Sequence, residues 1–177
     1  RLEAAGFHCR VNDVVLVRTQ PNGALDSDFG SGSGIVKTDF GLSDDAGHGL
    51  ALQADGKILV AGSANGDFAL ARYHPDGALD ISFDGDGWVT ADFADNDDVA
   101  SAVVVQPDGK ILVAGSTTLG KAALARYRAD GSLDASFGTA GLVTVDFVSD
   151  GSLDWSTGNA VALQPDGKIV VAGAWYW

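Results

Sequence analysis

Gln106-Pro107-Asp108-Gly109-Lys110-Ile111 reads QPDGKI, and the same six letters return at Gln164–Ile169. A third version, QADGKI, occupies Gln53–Ile58. An acid, a glycine and a lysine side by side suit either chemistry or a turn, and the neighbouring residues decide for the turn. Pro107 presets φ for the second position of a type I turn. Asp108 suits the next position, and Gly109 takes the left-handed conformation that opens a G1 bulge. Lys110 then leads into Ile111-Leu112-Val113, a strand. A phosphate-binding loop would need G-x-x-x-x-G-K-[ST] opening a helix. DGK is therefore expected at the tip of a β-hairpin, three times over.

The three turns set a period. Asp55, Asp108 and Asp166 lie 53 and 58 residues apart. Between them Ala71-Arg72-Tyr73 returns as Ala125-Arg126-Tyr127, with Val17-Arg18-Thr19 as a weaker copy, and the arginines are 54 apart both times. Asn22-Gly23, Asp76-Gly77 and Asp130-Gly131 follow. Leu25-Asp26, Leu79-Asp80 and Leu133-Asp134 come next, then Phe29, Phe83 and Phe137. Asp39-Phe40, Asp92-Phe93 and Asp146-Phe147 close each unit. Phe40 to Gln53 and Phe93 to Gln106 each span 13 residues, whereas Phe147 to Gln164 spans 17. A four-residue insertion thus falls in the stretch that carries Trp155, and insertions in repeat proteins map to loops.

Each unit reads as four strands, here Ala102–Gln106, Lys110–Ser116, Ala122–Tyr127 and Leu142–Phe147. Runs of this length bounded by Gly, Asp and Pro are the β signal, and none shows a 3.6-residue period. In Lys57–Ser63, Ile58 and Val60 share one face while Leu59 and Ala61 share the other, so the sheet is covered on both sides. The fold class is therefore all-β, a β-propeller-like tandem repeat of four-stranded units. A three-unit β-trefoil is the alternative. From Val11 onward the chain holds half a unit, two whole units and half a unit. Propellers have about four to eight blades, so residues 11–177 are expected to be part of a larger propeller. Residues 1–10 do not match the repeat, which leaves His8 and Cys9 unassigned.

The patterns ALQADGKILVAGS, DFALARYHPDGALDISF and WVTADF resemble the delta-60 repeat family over nearly the whole of Val11–Gly173. The resemblance implies a propeller-like array from a large exported bacterial protein, in an extracellular or cell-surface location. The chain departs from the pattern at Ala54 for Pro, at Asn22 for Asp, and in the insertion near Trp155.

Composition narrows the function. Lys and Arg number 11 against 24 Asp and Glu, a net charge of −13. Phosphate backbones and anionic membranes both need a basic face, so nucleic acid is not an expected partner, nor is insertion in a membrane. The single cysteine rules out an intrachain disulfide. Arg18, Arg72 and Arg126 with Asp26, Asp80 and Asp134 are expected to form one Arg–Asp pair per unit, a bidentate tie within the fold. Asp92, Asp95, Asp97 and Asp98 crowd hard oxygens that suit Ca²⁺, although the EF-hand pattern is absent. No other cofactor is indicated: three histidines without H-x₃-H or C-x₂-C spacing do not make a zinc site. Trp155, Trp175, Tyr176 and Trp177 break the repeat, and they are the candidate contacts for a protein or glycan.

These features predict a non-enzymatic scaffold or binding module, acting through inter-strand loops and continuing into further repeats of the same chain. A propeller enzyme of lyase or hydrolase type is the alternative, and His48 is its one candidate residue, because Ser101 and Asn159 fill that slot in the other units. A carbohydrate-binding trefoil is the third reading, and it would require aromatics that repeat by unit.

Overall fold

A computed structural model describes residues 12–41, 44–93, 97–145 and 155–176. Every strand pairing in it is antiparallel. The first hairpin joins β1 (Val14–Val17) to β2 (Ile35–Thr38). A four-stranded sheet follows, β3 (Ala46–Leu52), β4 (Ile58–Ala64), β5 (Asp67–Tyr73) and β6 (Trp88–Ala91), in chain order across the sheet. A second sheet repeats it with β7 (Asp98–Val105), β8 (Ile111–Thr117), β9 (Ala122–Tyr127) and β10 (Leu142–Val145). The last unit supplies β11 (Trp155–Ser156), β12 (Ala160–Leu163), β13 (Ile169–Ala172) and β14 (Trp175–Tyr176). Here β12 pairs β13 and β11 pairs β14, and Thr157 N and Asn159 N donate to the Ala174 and Ala172 carbonyls, so one long hairpin runs through a bulge at Asn159. The order is half, whole, whole, half, as the repeat predicts.

The first strand of each unit begins earlier than the apolar run suggests. β7 starts at Asp98, because its register shifts between Ala100 and Ala102 and leaves Ser101 as a bulge. β3 does the same around His48. The bulge drives the first strand against the second, which is why the AGS glycine recurs. A Cβ on Gly115 would lie 2.0 Å from the Val99 carbonyl oxygen, and one on Gly62 would lie 1.7 Å from that of Ala46.

Apolar faces then stack sheet on sheet. Leu59, Phe68 and Leu70 of the first whole sheet meet Ile111, Val113 and Ala125 of the second, all fully buried. The opposite face of the first sheet, with Ile58, Val60 and Ala71, packs on Val14, Leu16 and Phe29 of the first hairpin. Leu112, Ala114 and Leu124 pack on Val161, Leu163, Ile169 and Val171 of the last. Fully burying each large side chain contributes roughly 1.5–3 kcal/mol, so these faces dominate the stability. Face-to-face blades of four strands in chain order are the propeller arrangement, not the trefoil. Among the described residues no strand pairing links the first hairpin to the last.

Candidate functional site

The repeated polar residues go into the fold. Gly56, Gly109 and Gly167 have φ of +84°, +84° and +82°, the left-handed conformation the turn requires. Asp55, Asp108 and Asp166 accept from the backbone N–H groups of Lys57, Lys110 and Lys168 within their own turns. The lysines reach further. Lys57 Nζ lies 3.1 Å from Asp80 Oδ2, and Lys110 Nζ lies 3.4 Å from Asp134 Oδ2.

Arginine completes that cluster. Arg18, Arg72 and Arg126 donate through Nε to Asp26, Asp80 and Asp134 at 2.6, 2.7 and 2.9 Å. Each guanidinium also lies over a phenylalanine ring, Phe29, Phe83 or Phe137, at 4.5–4.7 Å from its centroid. Two of them tie one unit to the next: Arg18 Nη1 donates to the Pro75 carbonyl, and Arg72 Nη1 to that of Ala129 at 2.6 Å. Burial works against the Asp80 charge, but hydrogen bonds from Ser82, Lys57 and Arg72 outweigh it and hold the carboxyl well below the usual range. At Asp134 the Ser136 hydroxyl leads the same depression. The expected Arg–Asp pairs are present but not bidentate: each arginine meets its aspartate through Nε, and its terminal nitrogens turn to serine hydroxyls or carbonyls instead. The lysine, the ring and the inter-unit carbonyl were not anticipated, although all recur in register in the sequence.

A second polar cluster lies at the seam between units. Asp98 is 1 % exposed, and its Oδ2 accepts from Phe93 N at 2.8 Å. Single carboxylate oxygens of Asp67, Asp92 and Asp98 lie within 4.8 Å of one another. Desolvation raises the Asp98 and Asp67 carboxyls, and the neighbouring acids add to it. Of the predicted calcium ligands, Asp92 and Asp98 thus come together. Their third member is Asp67, which sequence reasoning missed because it sits 25 residues before Asp92 on another strand. Asp97 turns toward Gly66, where a Cβ would meet its Oδ1 at 2.6 Å. Asp95 lies outside the described residues.

The non-repeating aromatics fall at one end of the last hairpin. Trp155 pairs with Tyr176 and Ser156 with Trp175 across β11 and β14. Trp175 is 54 % exposed, whereas Thr117 and Ala64 in the same slot are buried. Trp177 lies outside the described residues. His48 sits exposed at the β3 bulge, on the rim of a groove of about 350 Å³ lined also by Val15, Val17, Leu50 and Leu52. Trp88 fills its apolar slot and packs on Phe40, ring centroids 4.8 Å apart.

Sequence comparison agrees with the geometry. The family model described as "Domain of unknown function (DUF5122) beta-propeller" matches residues 53–83, 106–137 and 164–176. Each match opens on the glutamine of a DGK turn. The matched stretches are similar to β-propeller repeats, in keeping with the stacked four-stranded sheets. The first two matches run on through the Arg–Asp–Phe cluster, so the features in common are those that build the blade and join it to the next. No curated protein matches the chain. Among the described residues no helix is long and apolar enough to cross a membrane.

Proposed function

We propose that this propeller array is a non-enzymatic scaffold of the delta-60 type, part of an exported or cell-surface protein, that contacts a protein or glycan through the aromatic end of its last hairpin. One observation carries the reading. The slot that is buried as Ala64 and Thr117 in two units holds a half-exposed Trp175 in the third. The repeated charges are already engaged with one another, so a partner meets the residues that depart from the repeat. Indole faces suit sugar rings and protein hot spots alike. The test is a binding screen of the intact chain against immobilised oligosaccharides and against proteins of the same cell surface, run beside Trp175→Ala. Signal lost in the variant at an unchanged melting midpoint supports the site, and signal retained removes it. Covalent change in a bound ligand that His48→Ala abolishes would replace the scaffold with an enzyme.

A further inference from the structure

We propose that the first and last hairpins are two halves of one blade, completed between two copies of this chain, so that the protein closes as a dimer. In each whole sheet the first to fourth strands lie in chain order. β12 and β13 are a first and a second strand, whereas β1 and β2 are a third and a fourth. Among the described residues β13 pairs with β12 alone and β1 with β2 alone. A second-strand edge is thus open at one end of the array and a third-strand edge at the other. The complete blades set how such edges pair: Val60 lies opposite Ala71, and Val113 opposite Ala125. The same register sets Val171 opposite Val17 and Ala172 opposite Leu16. Trp175 falls past β13, so the junction does not depend on it.

The groove beside β1 has the shape of the missing half. It encloses about 350 Å³ between Val15 and Val17 of β1, Leu50 and Leu52 of β3, and Ile58 and Val60 of β4. Leu50 and Leu52 are 61 % and 67 % exposed. Their counterparts one blade later, Val103 and Val105, are partly buried against the cluster that contains Leu59, with Ala51 packed beside them. In this fold, therefore, a preceding blade's first and second strands cover that face. The last hairpin carries those strands uncovered, with Ala162 in the slot of Ala51 and an exposed Val170 in the slot of Leu59.

Polar groups at the two ends match as well. In each whole blade the DGK lysine meets the aspartate of the Leu-Asp pair, Lys57 on Asp80 and Lys110 on Asp134. Among the described residues Lys168 meets only Asp166 of its own turn, and its side chain is 74 % exposed against 25 % for Lys57. Asp26 has Arg18 and Gln20 but no lysine. The composite blade brings Lys168 to Asp26. Backbone acceptors are matched too. At the first two junctions Arg18 and Arg72 donate to the Pro75 and Ala129 carbonyls, and Gly30 N and Asp84 N to the Asp76 and Asp130 carbonyls. Arg126 Nη1 and Gly138 N are the same donors at the third junction, and among the described residues they find no such carbonyl. The first hairpin of a second copy offers both, at Pro21 and Asn22. The chain's own first hairpin is the poorer occupant, because two whole blades and two halves would close as three, and propellers have about four to eight. Two copies give four whole and two composite blades, about six in all. A twofold axis then makes both junctions at once and leaves neither edge open.

The experiment weighs the whole chain by light scattering across a concentration series, and a dimer at micromolar concentration is expected. Val17→Lys and Val170→Lys alter side chains that are exposed in the single chain, so circular dichroism should be unchanged. Each places a charge in both junctions and should weaken the dimer by about 100-fold or more. Mixing the two variants leaves one junction unaltered in each mixed pair, so a dimer should return. Val17→Cys with Val171→Cys, in a Cys9→Ser background, should be joined by copper phenanthroline into a covalent dimer, and this pair decides the matter if lysine perturbs the fold. A chain that stays monomeric at about 100 μM overturns the proposal. A cross-link formed within one chain overturns the second copy as occupant, and assemblies that grow steadily with concentration overturn the closed ring. A dimer that both lysine variants leave untouched overturns the junction.

Discussion

Tyr73 and Tyr127 occupy the same slot in two units and should respond to the same substitution with opposite sign. Both are fully buried. Tyr73 Oη donates to Thr38 Oγ1 at 2.9 Å. Among the described residues Tyr127 Oη has no partner, because the slot of Thr38 is filled one unit later by Ala91. Burial pushes the Tyr73 hydroxyl up to about 12 and the Tyr127 hydroxyl further still, with no hydrogen bond to offset it. Neither ionises in the folding range, so the difference lies in hydrogen bonding alone.

Tyr73→Phe removes a made hydrogen bond and should cost about 0.5–1.5 kcal/mol. Tyr127→Phe removes an orphaned hydroxyl whose burial costs about 1–3 kcal/mol, so it should be neutral or stabilising by up to about 1 kcal/mol. For a chain of this size that separates the two melting midpoints by about 3–8 °C. Ala91→Ser returns an acceptor to Tyr127 and completes a cycle: it should stabilise the wild type and lose that effect in the Tyr127→Phe background. Denaturant titration with tryptophan fluorescence gives each free energy. Equal destabilisation by the two Tyr→Phe changes, or no coupling between Ala91→Ser and Tyr127→Phe, would refute the reasoning and place a bound water at Tyr127 instead.

Gly109→Ala meets no atom within 4 Å, so its cost is the left-handed strain alone, about 1–2 kcal/mol, whereas Gly115→Ala drives a methyl to 2.0 Å from a carbonyl oxygen and should abolish the folding transition; thermal melts of both variants check this. Arg72→Ala leaves Asp80 buried with Lys57, Ser82 and His74, whose Nε2 lies 3.6 Å from Oδ1, and should cost about 3–5 kcal/mol by denaturation, and the more exposed Arg18→Ala should cost less. The pH profile should pass through a maximum. Asp45, Asp67 and Asp98 are raised, so their stabilising contribution is present when protonated and is lost as pH rises through their folded values; Asp26, Asp80 and Asp134 are lowered, so theirs is present above about 3.9 and is lost as pH falls below it. Chemical denaturation from pH 7 downward should show stability rising to about pH 4–5 and then falling, and a steady decline from pH 7 would contradict the seam electrostatics.

Most of the architecture was legible because a repeat presents each decision several times. DGK, ARY and the Leu-Asp pair recur in fixed register, and the turn, the hairpin and the Arg–Asp tie follow from each of them locally. What stayed hidden is what depends on the neighbouring unit. Arg72 could be paired with Asp80 from sequence, yet its bond to the Ala129 carbonyl, 57 residues on, needs the stacking angle of two sheets. Asp98 looked like one of a crowd of loop acids and is instead buried, its carboxylate closing the end of the previous blade on Phe93 N. Asp67 opens a strand that reads as DFALARY, so its carboxylate was absorbed into the strand pattern. The register signal was present in both cases: Asp45 and Asp98 align at the blade spacing, as do Asp13 and Asp67, and aligning the acids as well as the glycines exposes the seam.

Those inter-unit links also constrain where a binding site can lie. Units are joined by an apolar face and a backbone bond at the seam, and at the first two junctions by an arginine to a turn carbonyl as well, so stability accumulates between nearest neighbours. A change at Arg72, Asp80 or Phe83 therefore weakens a junction as well as a blade. Trp175 occupies a slot that Ala64 fills as a buried methyl, and β14 keeps the pairing register of the other units, but the larger side chain is 54 % exposed. The bulge at Asn159, shared with the other units, separates this end of the hairpin from Val161, Leu163 and Val171 on the packed face. A ligand read by Trp175 is thus compatible with an intact array, whereas one read by the repeated arginines would have to compete with the contacts that hold the blades together.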